Sequence, residues 1–146
     1  MGRLMKGRVL VSGDVAGEAL VSDEPLSFWG GYDQHTGEII DRRHPLSGQM
    51  AAGRILVLPA TRGSSTTTAV LLEAVRLGTA PAALVTAGPD TYLALAAIVA
   101  DEMYQKPFPV IALHPDDFAV LETGQWLRIS TDGAIEVFAS KERASP

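Results

Sequence analysis

Three short apolar runs, at 55–58, 82–85 and 110–113, interrupt an otherwise mixed chain. Such runs, bounded by turn residues, read as strands buried on both faces. The two gaps between them carry a helical period instead. Val70, Leu71, Ala74 and Val75 share one face of the first gap, which stops at Gly78, and Leu93, Ala96, Ala97, Ala100 and Met103 share a face of the second. Strand, helix, strand, helix, strand predicts right-handed crossovers and a parallel sheet. A further helical turn is expected over 116–121.

Both ends of the chain follow a β rhythm. The segments 7–12 and 17–22 alternate in part and are separated by Gly13-Asp14. A long loop covers 23–37, Ile39-Ile40 is expected as a short strand, and 44–48 is a turn-rich connection. Segments 126–130 and 134–138 flank Thr131-Asp132-Gly133, a hairpin signal. The expectation is one α/β domain over residues 1–138, with a parallel βαβ centre and an added antiparallel β layer from both termini. Residues 139–146 are expected to fray.

Composition narrows the function classes. Net charge is −5 across 146 residues, with no basic stripe, so nucleic-acid binding is not expected. The longest apolar run, 92–100, is too short to cross a bilayer, and no signal-peptide pattern opens the chain, so a cytoplasmic protein is expected. There is no cysteine. Disulfides, a thiol nucleophile and thiolate ligation of an iron–sulfur cluster by this chain are thereby excluded. His35, His44 and His114 lack metal-ligand spacing, so no metal site is expected.

Candidate chemistry concentrates where the first buried run meets the first helix, at Pro59-Ala60-Thr61-Arg62-Gly63-Ser64-Ser65-Thr66. A serine here lies near unpaired backbone N–H groups at the positive end of a helix dipole. Those donors can hold an anion, either a substrate carboxylate or the serine's own alkoxide. The plainer role for the same residues is an N-cap. No Lys follows Gly63, which excludes a P-loop, and no Gly stands two places after Ser64, which excludes a nucleophile elbow. A second unusual stretch, Pro25 to Asp33, gathers Phe28, Trp29 and Tyr32 around Gly30-Gly31. Ser27, Phe28, Trp29, Gly30 and Gly31 are candidates for a pocket wall or subunit contact, and equally for a hydrophobic cluster beneath a loop. Either way, Phe28 or Trp29 is expected to anchor the loop. The two glycines permit positive φ or close backbone approach.

Taken in order, Gly17-Glu18-Ala19-Leu20-Val21-Ser22, Pro25-Leu26-Ser27-Phe28-Trp29-Gly30-Gly31, Thr36-Gly37-Glu38-Ile39-Ile40-Asp41, His44-Pro45-Leu46 and Arg62-Gly63-Ser64-Ser65 resemble the small subunit of aconitase X. The resemblance runs from about Gly7 to Ile129. It implies a swivelling β/β/α domain like the fourth domain of aconitases. It also implies a dehydratase (a hydro-lyase) acting on a small hydroxy acid, active only with a large subunit that carries the iron–sulfur cluster. Ser64 matches the serine that serves as base in aconitases. Arg62, Gly63, Ser65 and Thr66 are then candidates for substrate binding. Aconitases follow the Gly-Ser-Ser turn with Arg where this chain has Thr66, so citrate is not the expected substrate. The family includes dehydratases of cis-3-hydroxy-L-proline and of mevalonate 5-phosphate. The excess of Arg over Lys and the abundance of Ala lean toward the first. A non-catalytic binding or assembly module, its serine turn only a cap, is the alternative of another class.

Overall fold

The computed structural model describes residues 2–62 and 66–144. Eight strands form one ladder in the order β1-β8-β7-β3-β4-β5-β6-β2: β1 Arg3–Lys6, β2 Arg8–Val11, β3 Val15–Val21, β4 Ile55–Leu58, β5 Ala83–Thr86, β6 Val110–Ala112, β7 Trp126–Ile129 and β8 Ala134–Phe138. The four strands β3, β4, β5 and β6 run parallel, and β1, β8 and β7 are antiparallel. The parallel strands are sequential neighbours. Right-handed crossovers therefore place α1 (Thr66–Leu77) and α2 (Thr91–Tyr104) on the same face.

Alternation along the parallel strands builds two cores. Leu20, Leu56, Leu58 and Leu84 point to α1 and α2, packing with Val70, Leu71, Leu93 and Ala97. Their neighbours Ala19, Ile55, Val57, Ala83 and Val85 point the other way, against Met5, Leu127, Ile129 and Ile135 of the antiparallel strands. The layers are thus helix, parallel ladder and antiparallel ladder, as the β/β/α expectation requires.

One feature was not legible in the pattern. β1 and β2 are consecutive, yet they pair with opposite ends of the ladder, β8 and β6. The chain turns between them at Gly7, whose N–H donates to the Gly133 carbonyl at 2.9 Å. A Cβ at Gly7 would lie 2.3 Å from Cγ2 of Ile111. This corner, which only glycine fits, closes the ladder on itself.

Other boundaries move by small amounts. The second buried run becomes β5 one residue later than expected, and the turn expected over 116–121 forms as α3, Pro115–Phe118. Ile39-Ile40 is not a strand: Ile39 makes an isolated bridge with Tyr32, and Glu38 another with Met50, so the segment is stitched to two neighbours without a continuous ladder. Met103 does not join the buried face of α2 and is 56% exposed. The 3.6-residue period carries the seam from Leu93 through Ala97 and Ala100 to Tyr104 instead, which packs on the core. Beyond β8, Lys141–Ala144 forms a helical turn, α4, with the Lys141 ammonium over the Trp126 ring.

Candidate functional site

The C-terminal ends of the parallel strands are where open α/β sheets bind ligands, and here three connections converge there. The chain leaving β3 runs through the aromatic loop. The chain leaving β4 passes Pro59 to Arg62. The chain leaving β5 turns at Gly88-Pro89-Asp90 into α2. Backbone pairing joins the first two: Leu26 and Thr61 form a parallel bridge, and the Arg62 N–H donates to the Leu26 carbonyl at 2.9 Å.

Asp90 joins the second to the third. Its Oδ2 accepts from the Thr61 N–H at 2.8 Å and the Thr61 hydroxyl at 2.7 Å. Its Oδ1 accepts from the N–H groups of Tyr92 and Leu93. One buried carboxylate therefore caps α2 and fixes Thr61 in the segment that leaves β4. The sequence signal that could have found it is an Asp directly before a helical period, the usual position of an N-cap.

The aromatic loop is anchored as expected, by Phe28 and not by Trp29. Phe28 is fully buried and lies 5.2 Å from the Tyr32 ring centroid, whereas Trp29 is 70% exposed. Tyr32 donates its hydroxyl to the Thr79 carbonyl at 2.6 Å, and burial holds its phenol pKa above the ordinary value. Gly30 adopts φ of 77°, and a Cβ at Gly31 would lie 2.1 Å from the Ser27 carbonyl oxygen, so the pair permits both positive φ and a close approach.

Two hollows flank this loop. Phe28, Trp29 and Gly30 line a shallow apolar groove of about 440 Å³ with Tyr32, Ile40 and Val70. Ser27 faces the other hollow, a polar cavity of about 340 Å³ that it shares with Glu24, Asp41, Arg43, His44 and Arg62. Of the residues singled out in the sequence, Arg62 and Ser27 therefore meet in the polar cavity. Thr66 is exposed at the start of α1 and lines neither hollow. Gly63, Ser64 and Ser65 lie outside the described residues. Glu24, Asp41, Arg43 and His44 were not picked out as site residues, because they are spread over two loops that the sequence alone does not bring together.

His44 holds these loops in register. It is 7% exposed, its Nδ1 accepts from the Leu46 N–H at 3.1 Å, and its Nε2 meets the Glu24 carbonyl at 3.3 Å. This pair of partners places the ring proton on Nε2, donating to Glu24. Asp41 Oδ1 accepts from the Arg43 N–H at 3.0 Å in an Asx turn. Arg43 and Arg62 are exposed and make no side-chain hydrogen bond or ion pair among the described residues. Likewise, α1 carries no acidic residue in its first turn.

A helix layer over a parallel ladder closed by antiparallel strands, with a polar hollow lined by charges of both signs, defines a swivelling β/β/α domain. A family model described as the aconitase X swivel domain matches residues 4–137, and the chain belongs to that family. It is 45% identical over 134 residues to cis-3-hydroxy-L-proline dehydratase of Pseudomonas aeruginosa, covering 92% of this chain and 23% of that protein. It is 37% identical over 134 residues to the phosphomevalonate dehydratase small subunit of Thermococcus gammatolerans, covering 91% and 96%. The crystal structure of Thermococcus kodakaraensis aconitase X in its holo-form matches with a TM-score of 0.84 and 34% identity, over 94% of this chain and 99% of that one. The chain thus spans about a quarter of the Pseudomonas protein and nearly all of the Thermococcus small subunit.

The iron–sulfur cluster that this family implies does not fit the donors of this chain. There is no cysteine, and among the described residues no three His, Asp or Glu side chains are grouped as metal ligands. No helix of the described residues is long and apolar enough to cross a membrane.

Proposed function

We propose that this chain is the small subunit of a heteromeric aconitase X-type hydro-lyase that dehydrates cis-3-hydroxy-L-proline, with Ser64 as the base and the large subunit as holder of the iron–sulfur cluster. The observation that carries this reading is the 45% identity to the Pseudomonas aeruginosa dehydratase over nearly the whole chain. The absence of cysteine here accords with a cluster held by the partner.

The chemistry asks two things of this chain. It must remove the proton on the carbon beside the carboxylate, while the hydroxyl leaves the adjacent carbon and a double bond forms between them. It must also hold the substrate so that this carbon faces the base. A serine hydroxyl is a poor base at neutral pH and needs its alkoxide stabilised. Backbone donors at the start of α1 and the positive end of its dipole supply part of that stabilisation. Exclusion of water between the two subunits would strengthen both terms. Gly63, Ser65 and Thr66 contribute donors beside the base, and Arg62 contributes charge from the polar cavity.

A second reading, the small subunit of a mevalonate 5-phosphate dehydratase, is favoured by one observation: relatives of that name are matched over nearly their full length. Turnover by the co-expressed pair separates them. The expected result is dehydration of cis-3-hydroxy-L-proline with little action on mevalonate 5-phosphate. The reverse preference transfers the chain to the second reading, and no turnover of either leaves the assembly-module alternative.

A further inference from the structure

We propose that the polar cavity is a binding site for a zwitterion, in which Arg43 joins Arg62 in holding the substrate carboxylate while Asp41 and Glu24 hold its ammonium group. This rests on the dehydratase reading and specifies the substrate class: an α-amino or α-imino acid, not a phosphorylated hydroxy acid.

The cavity is built, not incidental. His44 is more than nine-tenths buried, and its ring spans from Leu46 to the Glu24 carbonyl, clamping together the two loops that carry the charged side chains. The Leu26–Thr61 bridge brings Arg62 to the same hollow. Each charged group keeps bonding capacity for a ligand. Arg43 and Arg62 have no side-chain partner among the described residues, so both guanidinium forks are available for a carboxylate. Asp41 uses Oδ1 on the Arg43 N–H and has Oδ2 to spare, and the Glu24 carboxylate makes no hydrogen bond or ion pair among the described residues.

The charge balance decides the ligand class. Two guanidinium groups and two carboxylates sum to zero, and an amino-acid zwitterion brings one charge of each sign to meet them. A phosphate adds about −1.5 to −2 to a substrate's carboxylate charge. Those negative charges would enter a hollow whose two cations are already offset by Asp41 and Glu24, where like charges in proximity repel.

The test uses the assembled pair carrying Ser64→Ala, so that binding is measured without turnover. The probes are cis-3-hydroxy-L-proline and cis-3-hydroxytetrahydrofuran-2-carboxylate, which differs from it only by oxygen in place of the ring nitrogen. Arg43→Gln should weaken both ligands by about 10- to 100-fold, the scale of a charge-assisted hydrogen bond. Asp41→Asn keeps an oxygen for the Arg43 N–H, so the turn persists. It should weaken the imino acid by about 10-fold while leaving the oxygen analogue unchanged or tighter. Arg62→Gln is the second carboxylate variant should Arg43→Gln fail to fold. Equal binding of both probes by all variants overturns the proposal, as does tighter binding of mevalonate 5-phosphate than of the imino acid. The serine reading fails separately: full turnover by Ser64→Ala alone, with Arg43→Gln still raising KM, removes the base and leaves the cavity assignment standing.

Discussion

Replacing Ser64 by alanine in the assembled pair is expected to lower dehydration by about 10²–10⁴-fold, the usual contribution of a positioned general base, while the subunits stay associated. The expectation follows from where this serine stands in the chain. Thr66 opens α1 two positions later, and that helix carries no acidic residue in its first turn to satisfy its dipole. Arg62, two positions earlier, lines the polar cavity and is held by Leu26 on one side, while Asp90 fixes the neighbouring Thr61. Thr61 and Arg62, before this serine, are therefore fixed by three hydrogen bonds, and α1 begins after it at Thr66. A serine that served only as a cap would behave differently: its loss would cost about 0.5–2 kcal/mol of stability and little rate. Thr67→Ala is the control, since it shares the helix start without a proposed role in base or binding. Steady-state turnover with cluster content checked distinguishes the outcomes, and near-normal turnover by Ser64→Ala would leave the cap role standing.

The largest loss of stability is expected from Phe28→Ala, at about 3–5 kcal/mol, as for other buried aromatic truncations. The ring is fully buried beside Tyr32 and belongs to the core formed by the helices and the outer face of the parallel strands. Its removal leaves a cavity that the loop cannot fill, because Gly31 already packs its backbone against Ser27. Trp29→Ala, one residue along, should fall within about 0.5 kcal/mol, since that side chain is largely in solvent. Denaturant unfolding of both variants checks the contrast: the midpoint should drop sharply for Phe28→Ala at an unchanged slope and hardly move for Trp29→Ala. Equal losses would mean that the loop is held elsewhere.

That contrast also marks how far the residues alone could be read. Aromatic density announced an anchored loop, but Phe28 and Trp29 are adjacent and equally apolar, so only packing tells them apart. Strand β4 was legible because all four of its residues are buried, and α1 because its buried face ends at a glycine. The closing hairpin was legible because Asp132-Gly133 suits the turn between β7 and β8. The closure through β1 and β2 was not, since alternation says which face a residue takes but not which strand it meets. Arg3 and Lys6 also frame β1 with charges that read as solvent-facing. The cavity was hidden for the same reason: Glu24, Asp41, Arg43 and Arg62 are brought together by backbone bonds and a buried histidine, not by spacing. Asp90 was missed because a cap and a tether between loops look alike in one dimension.

The central claim is that this chain holds one half of a divided active site. The most direct test assays cis-3-hydroxy-L-proline dehydration by this chain alone, by its large subunit alone, and by the two recombined. Turnover only in the recombined sample is predicted, lost again when Ser64→Ala replaces the parent chain. Turnover by this chain alone, with the partner shown absent, would contradict the account.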